Sequence, residues 1–302
     1  LILRIGIDLG GTKTEIGVLS PDGGFLLRER VPTPRSSYEG MVQTIRDLVL
    51  GAEQRLGAQG SVGIAIPGAI SPATGLVKNA NSTALIGHPF DQDMEAALGR
   101  PVRVANDANC FALSEAVDGA GQGKHCVFGV IAGTGLGGGI AIDGRVHVGL
   151  QAIGGEWGHN PLPRPHPEEM PGPACYCGRL GCAEAFLSGR GLSDDHLRVT
   201  GRKLSAEDIA AQAEGGDETA AATMDRYYDR LARALSSIIN VLDPDAVVFG
   251  GGLSQIEGIY REIPRRLQAY VFSDTCITPI LKNRHGDSSG VRGAAWLWKN
   301  KN

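Results

Sequence analysis

The chain has 302 residues, 42% of them hydrophobic, a net charge of −4 with acids and bases interspersed, and 44 glycines. That length buries a sizeable core split over two domains or lobes. The charge pattern holds no basic stripe for nucleic acid, the apolar runs are too short to span a bilayer, and no signal peptide is visible. Aromatic content of 5% argues against a carbohydrate-binding module built on stacking platforms.

In chain order, residues 4–8, 15–19 and 25–31 read as strands, with a glycine turn at Gly10-Gly11 and another at Pro21-Asp22-Gly23-Gly24. Residues 38–55 have helical periodicity. Residues 61–66 and 102–105 are strands, and 108–117 is a helix preceded by Asn106-Asp107. The first plan then repeats: strand 127–131, the loop Gly133-Thr134-Gly135-Leu136-Gly137-Gly138-Gly139, strand 139–142, the turn Asp143-Gly144 and strand 145–148. Two strand–loop–strand–turn–strand units imply an internal duplication, with two related lobes facing a nucleotide cleft. A Pro-rich loop covers 160–174. Helices follow at 205–214 and 220–241, then a strand at 246–249 that ends in Gly250-Gly251-Gly252. Alternating strands and helices give an α/β fold. The expected lobes are 1–118 plus 288–302, and 119–287, with a hinge near Gly119-Ala120-Gly121.

Four motifs carry chemistry. Gly133-x-Gly135-x-x-Gly138 satisfies the dinucleotide fingerprint, but a strand rather than a helix follows, so that reading fails. Glycines at three strand ends, at 10–11, 133–139 and 250–252, suit the cradling of phosphates, and hairpin turns are the alternative. Asp107 is a candidate general base, or else a helix N-cap. Glu156, three residues before His159, and Glu184, two after Cys182, are either surface glutamates or point toward one locale if a metal folds the loop. His159, Cys175, Cys177 and Cys182 form a Cys₃His set of the kind that binds tetrahedral zinc; a Cys175–Cys182 disulfide and a reactive thiol are the competitors. Cys110, Cys126 and Cys276 stand apart in apolar contexts as buried thiols. The whole pattern fits a reduced cytoplasm.

Asp8-Leu9-Gly10-Gly11-Thr12-Lys13, the second glycine loop, Glu156-x-Gly158-His159 and Cys-x-Cys-Gly-x-x-Gly-Cys occur in this order. The chain thereby resembles the ROK family of bacterial sugar kinases, from Ile5 to Trp298. Ala132 departs from the pattern, standing where a bulkier aliphatic is usual, which alters packing under the loop and not its chemistry. The resemblance implies an actin-like, ribonuclease H-like ATPase fold and ATP-dependent phosphorylation of a hexose. Gly6, Gly10, Gly11, Thr12 and Lys13 would serve the ATP phosphates, and Gly133, Thr134, Gly135, Gly137 and Gly138 would hold them from the other lobe. Gly251 and Gly252 would admit the adenosine, and Asp8 would hold Mg²⁺. Asp107 would be the catalytic base. Asn81, Asn106, Asp107, Glu156, His159 and Glu184 would contact the sugar, and the Cys₃His set would hold structural zinc.

Residues 78–83 and 285–296 are similar to the fructokinase/mannokinase branch. They set the expectation of fructose phosphorylated at its 6-hydroxyl, with mannose as a second substrate and N-acetylglucosamine or glucose as the runner-up. The resemblance also implies a homodimer in the cytoplasm. A sugar-sensing repressor would carry a helix-turn-helix ahead of the first glycine motif, and the residues before Asp8 leave no room for one. A chaperone or cytoskeletal ATPase of the same fold would lack the Cys₃His loop.

Overall fold

A computed structural model describes residues 3–80 and 82–298. The chain opens with β1 (Leu3–Leu9), β2 (Lys13–Leu19) and β3 (Phe25–Pro32), then α1 (Tyr38–Leu56) and β4 (Gly60–Ile66). A short hairpin of β5 (Ala69–Ile70) and β6 (Val77–Lys78) precedes α2 (Phe90–Leu98), β7 (Val102–Asn106) and α3 (Asp107–Val117). Next come β8 (Cys126–Ala132), β9 (Leu136–Ile142) and β10 (Arg145–Val146), followed by a long irregular segment. The remainder is α4 (Ala183–Leu187), α5 (Gly189–Thr200), α6 (Ala206–Glu214), α7 (Glu218–Leu242), β11 (Ala246–Gly250), α8 (Glu257–Leu267), β12 (Ile280–Lys282) and α9 (Ser289–Trp296).

One sheet has the order β3-β2-β1-β4-β7 and the other β10-β9-β8-β11-β12. In the first, β1 and β4 run parallel, as do β4 and β7, while β1–β2 and β2–β3 are antiparallel. In the second, β11 runs parallel to β8 and to β12. The two orders match strand for strand, so the duplication read from the glycine loops is present in the topology.

Local chemistry explains the elements. Almost every residue of β1 is buried, as expected of a central strand covered on both faces. The edge strand β3 is largely exposed and carries Arg28, Glu29 and Arg30, charges that discourage further pairing. Helix α1 is capped by Ser37, whose side chain accepts from Gly40 N, and stops at left-handed Gly57. It buries Met41, Ile45, Val49 and Ala52 into the core with Ile5, Ile7, Ile16, Ile64 and Phe90.

The chain divides into two compact units. One comprises Leu1–Gly123, Gly139–Gly154 and Asp287–Asn302; the other comprises Lys124–Gly138 and Gly155–Gly286. The turn Gly119-Ala120-Gly121 is clasped by buried Glu115, whose carboxylate accepts from Ala120 N at 2.8 Å. Cys110 and Cys126 are buried as expected, but Cys276 is only partly so, because it follows an exposed loop. Among the described residues no helix is long and apolar enough to cross a membrane.

Candidate active site and metal cluster

In the first unit, the parallel strands end level with one another. Asp8 pairs with Ala65, Ala65 with Ala105, and Ile66 with Asn106. The carboxyl ends of parallel strands are where open α/β sheets bind ligands. The turn after β1 closes through Gly10 N–H donating to Lys13 O at 3.0 Å, and Thr33 Oγ1 donates to Gly10 O at 2.8 Å. Gly11, Thr12 and Lys13 are left exposed on it. Gly6 sits further back, buried in β1, where a Cβ would lie 2.0 Å from Val291 O of α9.

The Asn-Asp pair divides its labour differently from the sequence reading. The cap of α3 is Asn106, whose Oδ1 accepts from Ala108 N at 2.9 Å and Asn109 N at 3.3 Å. Asp107 is already the first helical residue, half-buried, with Oδ1 accepting from Ala108 N at 2.8 Å. Capping therefore does not account for Asp107. It does engage the side-chain oxygen of Asn106, which was expected on the sugar.

Asp8 and Asp107 lie close enough to repel. Burial, then Asp107, then Glu15 push the Asp8 carboxyl up to about 7, against the pull of Arg30. Glu15 is held by Arg28 and Arg30, and both arginines also bond Asp287. Asp8 rests on the start of α9: a Cβ at Gly290 would lie 2.6 Å from Asp8 Oδ2. Paired hard oxygens whose charges oppose each other fit a magnesium ion, which relieves the repulsion and needs few carboxylates. Asn81, also expected on the sugar, lies outside the described residues.

In the second unit, the glycine loop follows β8 and leads into β9, so no helix stands behind it and the dinucleotide reading is excluded. Gly133 N–H donates to Gly135 O at 3.0 Å, and Gly189 N–H donates to Gly133 O at 2.7 Å. Thr134 is exposed at its tip. Strand β11 ends beside β8, with Gly250 paired to Ile131. Gly251 follows at φ 79°, a left-handed conformation that suits glycine, with its α-carbon so close to Ala132 that a Cβ would lie 2.4 Å from Ala132 O. Small, buried Ala132 is thus the floor on which the two glycine segments meet.

His159, Cys175, Cys177 and Cys182 converge: their ligand atoms all lie within 4.8 Å of one another. Cys177 Sγ is 3.6 Å from Cys182 Sγ, and Cys175 Sγ is 3.6 Å from His159 Nδ1. Zinc–sulfur bonds of about 2.3 Å place tetrahedral ligand atoms roughly 3.7 Å apart, so the donor set fits zinc, and Cys175, Cys177 and Cys182 are free thiols here. Burial and the adjacent Cys177 and Cys175 push the Cys182 thiol up to about 12. A dication among the sulfurs removes that penalty.

Tyr176, which sequence reasoning passed over, bonds His159 Nε2 at 3.0 Å. Burial, then Glu184, Cys175 and Glu156 raise its phenol above the ordinary range, so both expected sugar glutamates lie near this one residue. Its only signal in the sequence is its place between two cysteines. Glu184, on α4 just after Cys182, accepts from Leu136 N at 2.8 Å. Glu156 is exposed.

A family model described as the ROK family matches residues 4–301. The chain belongs to the ROK family. An N-acetyl-D-glucosamine kinase of Yersinia pseudotuberculosis is 43% identical over 296 residues, covering 97% of each chain. That of Pectobacterium atrosepticum is 42% identical over the same length and shares. Among solved structures, the ROK hexokinase from Thermus thermophilus superposes with a TM-score of 0.86 at 32% identity, covering 98% of this chain and 97% of that one. A ROK family glucokinase from Streptomyces griseus in complex with glucose and AMPPNP gives 0.76 at 30% identity, covering 98% of each. The actin-like sugar-kinase fold expected from the motifs is therefore the fold of this ROK protein, a sugar kinase.

The finer expectation, a fructokinase/mannokinase branch, is not supported by these relatives, and the two segments that suggested it make packing contacts. Residues 285–296 do packing work. Asp287 ties to Arg28 and Arg30, Gly290 makes room for Asp8, and Gly293 packs on Cys110, where a Cβ would lie 1.7 Å from the carbonyl oxygen. Lys78 pairs with Ala69 and donates to Gln151 O at 2.5 Å.

Proposed function

We propose that this ROK protein transfers the γ-phosphoryl group of ATP to the 6-hydroxyl of N-acetyl-D-glucosamine. The observation that carries the sugar is the 43% identity to a kinase of that name, end to end. Fructose and mannose become secondary candidates.

Asp107 accepts the hydroxyl proton as the oxygen attacks phosphorus, a role that suits a carboxylate not needed as a cap. The N-terminus of α3 favours its negative charge. Glu156, His159 and Glu184 supply acceptors and a ring nitrogen for sugar hydroxyls, with Asn106 offering its amide nitrogen. The exposed turn Gly10–Lys13, the loop Gly133–Gly138 and the pair Gly251–Gly252 present backbone to the nucleotide, and Lys13 brings a positive charge. Asp8 would hold magnesium, which would supply neutralisation of phosphate charge.

His159, Cys175, Cys177 and Cys182 would hold zinc with four protein ligands, which would make its part structural. Bound there, it would fix the segment that bears His159 and, three residues earlier, Glu156. The test is product identity: phosphorus–proton correlation spectroscopy of the product should couple phosphorus to the C6 protons of N-acetylglucosamine. Coupling to H1, or no product with ATP, contradicts the reading.

A further inference from the structure

Two side-chain hydrogen bonds join the glycine loop to the segments that carry the expected sugar contacts. Trp157 stands inside Glu156-Trp157-Gly158-His159, is only 3% exposed, and donates its indole N–H to Gly137 O at 3.0 Å. Its ring meets Phe128 of β8 edge-on at 5.7 Å. Gly138 leaves no room beside it, since a Cβ there would lie 2.7 Å from Trp157 Cδ1. One residue earlier in the loop, Leu136 N–H donates to Glu184 Oε2 at 2.8 Å, and Glu184 N–H donates to Gly158 O at 2.8 Å. Leu136 is therefore clasped between α4 and the Trp157 segment, both of which continue into the Cys₃His cluster through Cys182 and His159.

We propose that Trp157 is a positioning residue which, with the Leu136–Glu184 bond, makes the phosphate loop and the sugar-contacting segment one mechanical body, so that nucleotide and sugar each tighten the other's binding. The physical basis is reciprocity. A ligand that orders Gly137 and Leu136 also orders Trp157 and Glu184, and the second ligand then meets a site already set. Loss of the indole N–H removes one buried bond from that body while the aromatic packing stays. This inference rests on the kinase reading above, and its test keeps the two apart.

Calorimetry on the full chain with N-acetyl-D-glucosamine and AMPPNP, each alone and then together, gives the ratio of sugar dissociation constants without and with nucleotide. A ratio of about 5–150 is expected for the unaltered chain, the usual range of coupling between sites. Trp157→Phe should cut that ratio by about 2–10-fold, the worth of one buried hydrogen bond, with sugar affinity in the absence of nucleotide little changed. An unaltered ratio in Trp157→Phe, or a ratio of one in the parent, overturns the proposal.

A second measurement needs no variant and no choice of sugar. AMPPNP alone should slow amide exchange in residues 133–138 and also in residues 155–160. Protection confined to the glycine loop overturns the coupling and leaves the kinase reading intact. Failure of AMPPNP to bind removes both.

Discussion

Replacement of Asp107 by asparagine separates chemistry from folding at one position. Because Asn106 already caps α3 through bonds of 2.9 and 3.3 Å, Asp107→Asn leaves the cap in place. The amide oxygen can still accept from Ala108 N, and the charge–dipole part of the lost stability is about 0.3–1 kcal/mol at a helix N-terminus. Removal of the Asp107 charge also relieves Asp8, whose carboxyl it helps to hold up at about 7, and this offsets part of that cost. Turnover behaves differently: without an acceptor for the hydroxyl proton, kcat should fall by roughly 10²–10⁴-fold. Asn106→Ala gives the complementary pattern, a loss of about 0.5–2 kcal/mol of stability from the missing cap. The assay is steady-state kcat by coupled ADP release beside thermal unfolding of each variant. An Asp107→Asn enzyme that turns over near the parental rate while unfolding much earlier would refute the assignment of the base and return Asp107 to a structural role.

Three further outcomes follow from the geometry. Freshly purified protein should hold about one zinc per chain, and Cys177→Ala should lose the metal and weaken sugar binding more than ATP binding; metal analysis beside calorimetry checks both. Gly290→Ala should keep the fold but lower kcat, since its Cβ would displace Asp8 from 2.6 Å, whereas Gly293→Ala should lower the melting temperature by colliding with the backbone of α3; kinetics and thermal scans of the two variants distinguish them. Burial alone would raise the Glu169 carboxyl, but Arg233 and Arg230 hold it down at about 2 from an ordinary 4.5. A depressed carboxylate contributes stability above its unfolded value that is lost as pH falls through the folded one. The parent should therefore lose melting temperature between about pH 4.5 and 2, and Glu169→Gln should flatten that part of the profile.

The strand–glycine–strand plan was legible because it is local: alternating apolar runs, a turn rich in glycine, and the same plan again over a hundred residues later. The Cys₃His set was legible because sulfur and imidazole at short spacing have few other uses. What escaped was the chemistry of long-range contact. Nothing near residues 288–296 announces that Gly290 lies on Asp8 and Gly293 on Cys110, so a packing helix was read as a mark of sugar preference. Helix α8 was hidden by Pro264 within it, and α5 by the two glycines with which it begins, Gly189 and Gly191, both poor helix formers. The division between Asn106 as cap and Asp107 as first helical residue turns on a single register step, which no pattern of residue types fixes. Sugar preference is harder still, since hexoses differ by hydroxyl geometry that a motif does not encode.

The central claim is the substrate, and a single panel tests it. Coupled ADP release should be measured with N-acetyl-D-glucosamine, glucose, fructose and mannose under identical ATP and magnesium. N-acetyl-D-glucosamine should give the highest kcat/KM by tenfold or more, about 1.4 kcal/mol of transition-state discrimination. Fructose in first place by that margin would contradict the account and restore the branch that residues 78–83 and 285–296 first suggested.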